Sequence, residues 1–268
     1  VSRYLLMNKD KFNSGLLYLV GLGPGADKVL TPAARAALED SETVVGLRAY
    51  VDQIAGLLEG KELVAMELGQ ELERAERAVD LAFAGKRVAV VSSGDAGIYG
   101  MAGPIFKVLT DRDWNGETPR VETVPGVSAL QSAAALLGSP LMQDFCAISL
   151  SDLMTPWEAI TRRLEAAAWG DFVVVLYNPR SSRRTTQLLE ARRILLEHRS
   201  PQTPVGMVKD AFRQKQRVTV TDLESLEARC TEVDMVTTLV IGNSTTYLHR
   251  GYMVTPRGYE EKRLPSRK

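Results

Sequence analysis

Short runs of apolar residues recur along this chain, and each ends at a glycine, a proline or a cluster of polar residues. Runs of this length and composition predict buried β-strands. The predicted strands cover residues 16–22, 43–46, 86–92, 120–124, 145–150, 171–177, 204–209, 217–221 and 235–242.

Stretches with helical periodicity or many small residues lie between these runs. Thr31 and Pro32 are residue types favoured at the N-cap and first position of a helix, and an alanine-rich segment follows them as far as Asp40. The other predicted helices cover residues 67–83, 100–111, 128–137, 156–168, 185–198 and 222–229.

Alternation of strands and helices predicts an α/β fold. The break at Pro125 and Gly126 divides this fold into two lobes of similar size, and we expect a ligand cleft between them, with glycine-rich loops from both sides. The expected boundaries are 16–126 and 127–259 for the lobes, 1–15 for a tail or expression remnant, and 260–268 for a second tail.

The composition narrows the function without identifying it. Lys and Arg together number 33, as do Asp and Glu, so the chain lacks the strong positive charge of most nucleic-acid-binding domains. No apolar run reaches the roughly 18 residues of a membrane span, and no secretory leader is evident, so we expect a cytoplasmic protein. Two cysteines and two widely separated histidines predict reduced core thiols and neither a protein-bound metal nor an iron–sulfur cluster.

The glycine-rich loop SSGDAGIYGMAGP at 92–104 is the clearest candidate for chemistry. It follows a buried strand, and loops in that position hold ligands in α/β proteins. Its small residues let a ligand approach the backbone, and Asp95 supplies a directional acceptor for hydroxyl or amine groups. We expect this loop to hold a small polar molecule, the alternative being a glycine-rich turn capped by Asp95.

A second glycine-rich segment, GLGPGA at 21–26, fits the dinucleotide fingerprint G-x-G-x-x-G/A. The true fingerprint opens a helix at once, whereas the predicted helix here waits until Thr31. The second strand also ends at residues 45–48 without the expected acid. A nicotinamide site is therefore disfavoured, and a tight turn without a ligand is an open alternative.

Three segments taken together, LVGLGPG at 19–25, SSGDAGIYGMAG at 92–103 and VPGVSALQSAAALLG at 124–138, resemble the tetrapyrrole methylases. The resemblance runs from residue 16 to about 259. It implies the two-lobed fold of the class III S-adenosylmethionine methyltransferases, with each lobe a mixed sheet flanked by helices. It also implies S-adenosylmethionine as donor, S-adenosylhomocysteine as product, and a homodimer.

Further segments are similar to the subgroup that methylates precorrin-3B at C-17 and contracts the ring. They are ISLSDLMTPWE at 148–158, LYNPRSSRR at 176–184 and GYMVTPRGY at 251–259. The residue after Asp95 is Ala96 where many relatives have proline, and alanine fits this subgroup. The implied partner is a precorrin or its cobalt analogue, with no nucleic acid and no membrane.

The resemblance also assigns residues to the donor. Some of these positions have a structural alternative: Ser128 could be an N-cap and Asn178 a plain turn residue beside Pro179. The implied donor contacts are Pro24, Gly94, Asp95, Ala96, Ile98, Tyr99, Ser128, Ala129, Leu176, Tyr177, Asn178, Lys209, Asp210, Ala211, Ile241, Gly242 and Asn243.

A precorrin carries many acetate and propionate groups, which arginine binds by bidentate pairing. Arg180, Arg183 and Arg184 form a basic loop after a strand and are the candidates, although a solvated loop has the same sequence; Arg257 is a weaker one. Ring contraction requires a proton acceptor for the tertiary hydroxyl of the substrate. In the loop 149–155 the candidates are Ser151, Asp152 and Thr155, with Asp152 foremost, and a capping loop before Pro156 is the alternative.

Three other functions stay open from the sequence. Methylation at another ring position would use the same fold and donor. A nicotinamide-dependent oxidoreductase would bind NAD and ignore S-adenosylhomocysteine. A non-catalytic scaffold would bind a tetrapyrrole without transferring a methyl group.

Overall fold

A computed structural model of the chain describes residues 15–258, and these form two α/β units. The first ends at Ser128 and the second begins at Ala129, two residues beyond the predicted boundary. The predicted tails at 1–15 and 260–268, apart from residue 15, and the last residue of the 251–259 segment lie outside the described residues.

The first unit contains five parallel strands in the order β3-β2-β4-β1-β5. The resemblance implies a mixed sheet, but every pair of neighbouring strands in this unit is parallel. The strands are β1 (Leu16–Gly21), β2 (Thr43–Leu47), β3 (Glu62–Met66), β4 (Arg87–Ser92) and β5 (Arg120–Val124). The helices are α1 (Pro32–Asp40), α2 (Arg48–Gln53), α3 (Glu71–Phe83) and α4 (Ala102–Asp111).

Helices cover both faces of this sheet. Leu17 and Leu19 of β1 pack in one apolar cluster with α3 and α4, whereas Val20 lies in the opposite cluster with α1 and α2. Because successive side chains of a strand point to opposite faces, both faces of β1 must be apolar. This explains why the run at 16–22 is almost continuously hydrophobic.

The start of α1 confirms the prediction made from its first residues. The Thr31 side chain accepts a hydrogen bond from the backbone N–H of Ala34 at 3.1 Å, and Pro32 is the first helical residue. The cap satisfies one of the N–H groups that have no partner within the helix.

The region between β2 and α3 differs from the prediction. The helix expected at 67–83 begins only at Glu71, because Gly69 has a positive φ of 91° in the turn before it. The segment before that turn forms β3, and α2 follows β2 directly. β3 is one of the two edge strands and stays partly exposed, so it lacks the apolar pattern that marks the central strands.

The second unit contains a mixed sheet in the order β10-β9-β11-β8-β7. Only the β7–β8 pair is parallel, and β11 runs antiparallel to both of its neighbours. The strands are β7 (Phe145–Ser149), β8 (Val173–Tyr177), β9 (Pro204–Lys209), β10 (Arg217–Asp222) and β11 (Thr237–Ile241).

Helices α6 (Trp157–Trp169) and α7 (Gln187–Leu196) pack on one face of this sheet, and α5 (Ala129–Leu137) packs on the other. The helix predicted at 222–229 is absent. The Asp222 carboxylate instead accepts from the Ser225 N–H at 2.7 Å, which closes a turn, and a short 3₁₀ segment follows at Glu227–Glu232.

A small three-stranded sheet was not predicted. It consists of β6 (Gly138–Ser139), β12 (Tyr247–His249) and β13 (Tyr252–Val254), in the order β12-β13-β6. These strands have two or three residues, too few to show a period-two pattern.

The buried Arg199 joins three segments of the second unit. Its guanidinium donates to the carbonyls of Gly242 at 2.7 Å, Ala167 at 3.3 Å and Phe172. Burial lowers the pKa of Arg199. The three carbonyls are the hydrogen-bond acceptors that a buried guanidinium needs.

We expect Arg199→Met to destabilise the protein by about 3 kcal/mol, because the carbonyls of Gly242 and Phe172 lose the donor that Arg199 supplies and each buried carbonyl left without a donor costs roughly 1–3 kcal/mol. The Ala167 carbonyl still accepts from the Phe172 N–H. Urea unfolding followed by circular dichroism measures this. Arg193→Met is the matched control, since Arg193 makes only an exposed pair with Glu197, and it should change stability by less than about 0.5 kcal/mol. Equal effects of the two variants would contradict the role of Arg199.

Candidate functional site

The centre of the first sheet has the topology at which open α/β sheets bind ligands. Strands β1 and β4 are neighbours. The chain leaves β1 towards β2 on one side and leaves β4 towards β5 on the other. Where adjacent strands send their connections in opposite directions, a crevice opens outside their carboxyl ends. Both glycine-rich segments, 21–26 and 92–104, follow these two strands.

The loops at this edge are joined backbone to backbone. Gly23 N–H donates to the Gly94 carbonyl at 3.0 Å, and Gly94 N–H donates to the Gly23 carbonyl at 2.7 Å. A Cβ on Gly21 would lie 2.6 Å from the nitrogen of Gly126, and one on Gly126 would collide with the Gly94 carbonyl. The ends of β1, β4 and β5 therefore meet at a distance that only glycine permits.

The Asp95 side chain fixes this arrangement. One carboxylate oxygen accepts from the Gly97 N–H at 2.8 Å and the other accepts from the Gly126 N–H at 3.0 Å. The acid thus links the loop after β4 to the turn after β5. Because each carboxylate oxygen accepts up to about two hydrogen bonds, both oxygens keep capacity for a ligand.

The predicted donor residues of this unit divide into a buried framework and an exposed tip. Pro24, Gly94, Ala96 and Ser128 are buried. At the tip, Ile98 is 36% exposed and Tyr99 is 55% exposed, and Tyr99 has a left-handed φ of 54°. An exposed aromatic side chain on a strained backbone is typical of binding loops.

In the second unit, Asn178 follows β8 with a left-handed φ of 49°. Its side-chain Nδ2 donates to Ser149 Oγ at 3.0 Å, which joins the ends of β8 and β7. Tyr177 Oη accepts from the Leu130 N–H at 2.9 Å. Leu176 is fully buried, so it offers a ligand no side-chain surface. The half-buried Ala129 begins α5, immediately after Ser128.

Residues 209–211 lie at the end of β9, at the same edge of the sheet. Asp210 has a left-handed φ of 49°, and its N–H donates to the Val236 carbonyl at 3.1 Å. Lys209 pairs with Asp234 at 2.5 Å, and this hydrogen bond raises the pKa of Lys209. Ala211 is half-buried beside them.

The expectation that Ile241, Gly242 and Asn243 lie with these residues is wrong. Because β11 is antiparallel, Ile241 pairs with Val174 and Val205, at the beginnings of β8 and β9. The segment 241–243 therefore lies at the opposite edge of the sheet, where Arg199 and Thr246 bind it. The part of β11 that reaches Lys209 is its first residue, Thr237. The sequence offered no signal for the direction of this strand.

The predicted catalytic residues share one loop between β7 and α6. Asp152 is exposed and accepts from Gln187 Nε2 at 2.8 Å. Ser151 and Thr155 are half-buried, and the Ser151 N–H donates to Ser149 Oγ at 3.2 Å. No side chain in the described part of the chain caps α6 at Pro156, so the alternative of a capping loop is not observed there.

The three predicted substrate arginines differ in their surroundings. Arg183 is exposed. Arg184, a predicted substrate contact, is buried, so the alternative of a solvated loop does not hold for it; it donates to the Asn178 carbonyl at 2.8 Å and to Met235 Sδ at 3.2 Å. Arg180 is half-buried, and its Nε has no partner among residues 15–258. The weaker candidate, Arg257, is exposed.

Within residues 15–258, no group of three His, Cys, Asp or Glu side chains could hold a metal ion, and no helix is long and apolar enough to cross a membrane. Cys146 and Cys230 are free thiols, as expected, and burial raises the pKa of both.

Comparison with known proteins extends over most of the chain. A sequence model of the family of Tetrapyrrole (Corrin/Porphyrin) Methylases matches residues 16–227. The cobalt-factor III methyltransferase of Priestia megaterium is 49% identical over 249 residues, which are 92% of this chain and 46% of that protein. The chain thus spans less than half of that relative. The probable cobalt-factor III C(17)-methyltransferase of Salmonella typhimurium is 43% identical over 91% of this chain and 99% of that protein.

Two solved structures of methyltransferases are also similar to this chain. The methyltransferase CobJ has a TM-score of 0.85 at 37% identity and covers 91% of this chain and 100% of its own. A uroporphyrin-III C-methyltransferase from Thermus thermophilus, complexed with S-adenosylhomocysteine, has a TM-score of 0.68 at 26% identity and covers 85% of this chain and 97% of its own.

We expect Gly126→Ala to destabilise the protein by about 1–3 kcal/mol, because its Cβ would collide with the Gly94 carbonyl. Gly103→Ala is the control: nothing lies within 4 Å of a Cβ there, and alanine in α4 should raise stability by roughly 0.5–1 kcal/mol. Urea unfolding of both variants measures this. A Gly126 variant as stable as the parent would show that the loops can separate at no cost.

Proposed function

The chain belongs to the family of tetrapyrrole (corrin/porphyrin) methylases, and we propose that it transfers a methyl group from S-adenosylmethionine to C-17 of a corrin precursor. The substrate is precorrin-3B or cobalt-factor III, and the ring contracts in the same reaction, which belongs to cobalamin biosynthesis. The similarity over 99% of the length of a relative named a C(17)-methyltransferase carries this proposal.

The donor fits the switch point of the first unit. There is space for a ligand beside Gly97, because the only atom within 4 Å of a Cβ added there would be Asp95 Oδ1, at 3.2 Å. Ile98 and Tyr99 offer exposed apolar and aromatic surface, and Asp95 offers acceptor capacity for amine or hydroxyl groups. S-adenosylmethionine has an adenine ring that suits the apolar and aromatic surface, and amine and hydroxyl groups that suit the Asp95 carboxylate. A solved relative holds S-adenosylhomocysteine.

The donor supplies a methyl group on a positively charged sulfur, and displacement from it needs little covalent help. The protein's part is to hold and orient the reactants and to exclude water. Asp95 helps to orient the donor, because it fixes Gly97 and Gly126 at the edge of the sheet. At the ends of β8 and β9, Tyr177, Asn178 and residues 209–211 remain proposed donor contacts. Residues 241–243 do not, given their place at the far edge.

Ring contraction needs a group that accepts the proton of the substrate's tertiary hydroxyl. We assign this role to Asp152, with Ser151 and Thr155 beside it on the same loop. Gln187 holds the Asp152 carboxylate through a single hydrogen bond at 2.8 Å, so the other oxygen has no partner among the described residues. A location in the cytoplasm and assembly as a homodimer belong to the same proposal and rest on the family resemblance.

Incubation with S-adenosylmethionine and either precorrin-3B or cobalt-factor III, followed by mass spectrometry, tests the activity. We expect one methyl group on one of these substrates and a contracted ring in the product. Asp152→Asn should lower turnover at least about a hundredfold, whereas Glu158→Gln, on exposed α6 surface, should not. A product methylated at another position, or no methyl gain on either substrate, would overturn the C-17 assignment. NAD binding without a response to S-adenosylhomocysteine would favour an oxidoreductase.

We expect Asp95→Ala to weaken S-adenosylhomocysteine binding at least about tenfold, because two backbone N–H groups lose a charged acceptor. Asp95→Asn should weaken it less, since the amide keeps one acceptor oxygen. Asp111→Asn on exposed α4 surface is the control. Titration calorimetry measures the affinity and circular dichroism checks the fold. Unchanged affinity in a folded Asp95→Ala protein would remove this residue from the donor site.

A further inference from the structure

A cavity of about 550 Å³ lies in the second unit, between the loop after β8 and the segment that leads into β11. Its volume falls within the range of small-molecule sites, roughly 300–1,000 Å³. We call it the Arg180 cavity. It is lined by Arg180, Ser181, Ser182, Thr185, Thr231, Val233, Asp234, Met235 and Val236.

Among residues 15–258, Arg180 is the only arginine that lines this cavity, and no acid of the lining pairs with it. Its Nε is buried without a hydrogen-bond partner, and no carboxylate in the described part of the chain pairs with its guanidinium. A partly desolvated cation without an acceptor is costly, and an anion entering the cavity would remove that cost. Arg184 cannot take this part, since it is buried and bound to Asn178 and Met235.

The one acid of the lining does not compensate for Arg180. Asp234 is engaged by Lys209 Nζ, by Thr237 Oγ1 at 2.8 Å and by the Val236 N–H at 3.1 Å. Burial alone would raise the pKa of Asp234, but these hydrogen bonds outweigh it and lower the pKa. Asp234 therefore keeps its charge paired with Lys209, which leaves Arg180 as the unmatched charge of the cavity.

The loop that carries Arg180 is held in shape. Ser181 N–H donates to the Arg184 carbonyl at 3.0 Å, and Ser181 Oγ accepts from the Arg184 N–H at 3.1 Å. A rigid loop spends less conformational entropy on binding than a mobile one. On the other side of the cavity, Met235 and Val236 are each 45% exposed and offer an apolar wall.

We propose that the Arg180 cavity binds a carboxylate side chain of the macrocyclic substrate. The planar guanidinium suits a bidentate carboxylate, the hydroxyl groups of Ser182 and Thr185 can donate to it, and the methylene groups of the arm lie against Met235 and Val236. The assignment of the ligand as a substrate arm rests on the proposed function. Arg184 acts as a positioning residue for the loop, and Arg183 is outside the lining.

Fluorescence titration with uroporphyrin III, a stable tetrapyrrole with eight carboxylates, tests this proposal. We expect Arg180→Met to weaken binding at least about tenfold, because a charge-assisted bidentate contact is lost. Arg180→Lys keeps the positive charge but lacks the planar guanidinium, so its affinity should lie between those of the parent and Arg180→Met. Arg193→Met, which removes an exposed arginine of α7 outside the cavity, is the matched control and should bind within about twofold of the parent. Affinity for S-adenosylhomocysteine, measured by calorimetry, should stay unchanged in all three variants.

Equal binding by Arg180→Met and the parent would overturn the proposal. Inorganic phosphate supplies the other arm of the test. Because phosphate and a carboxylate arm would compete for the same guanidinium, excess phosphate at constant ionic strength should weaken porphyrin binding to the parent and leave the residual binding of Arg180→Met unchanged. Equal weakening of both proteins by phosphate would place the anion contact elsewhere and overturn the assignment. These measurements involve no turnover, so the two hypotheses can fail separately. If the protein does not methylate C-17 but Arg180→Met still weakens porphyrin binding, the proposed function is wrong and the anion site at Arg180 stands.

Discussion

The contact among Gly21, Gly94 and Gly126 is the constraint on which the first unit depends. Three neighbouring strands end where their backbones touch, and a side chain on Gly21 or Gly126 would force them apart. The close approach lets the Asp95 carboxylate reach the N–H of Gly126 as well as that of Gly97. Asp95, which the sequence suggested as a ligand contact, therefore also links two backbone segments and shapes the loop.

Local features of the sequence predicted most elements because they depend on neighbouring residues. The Thr31 cap, the Pro32 position and the apolar run of β1 each act within a few residues, so their signals are present in the chain. The edge strand β3 and the short sheet of β6, β12 and β13 escaped prediction. Their residues are partly exposed or too few to give a period, and their stability comes from partners distant in sequence.

The candidate site shows the same division. The loops around Gly94 and Asn178 follow buried strands, as predicted, and their residues remain candidates for the site. Residues 241–243 were misplaced because strand direction is a property of the whole sheet, and β11 reverses it relative to β8. The arginines at 180–184 were grouped by charge alone, whereas burial separates Arg184, which binds the backbone, from Arg180, which lacks a partner. The charge of a side chain can be read from the sequence, but its burial depends on the tertiary structure.

Left-handed backbone occurs in the loops that carry the candidate site, although other turns of the chain have it as well. Asn178 and Asp210, which follow β8 and β9, both have φ near 49°. Asn and Asp tolerate this conformation, so these two positions cost little. Tyr99 has φ of 54° and is not such a residue, and its ring is 55% exposed. Strain of this kind costs of order 1–3 kcal/mol and persists only where surrounding contacts impose it. Tyr99 lies in the loop that Asp95 links to Gly126, so its exposed ring stands beside the switch point, where we propose that the donor binds.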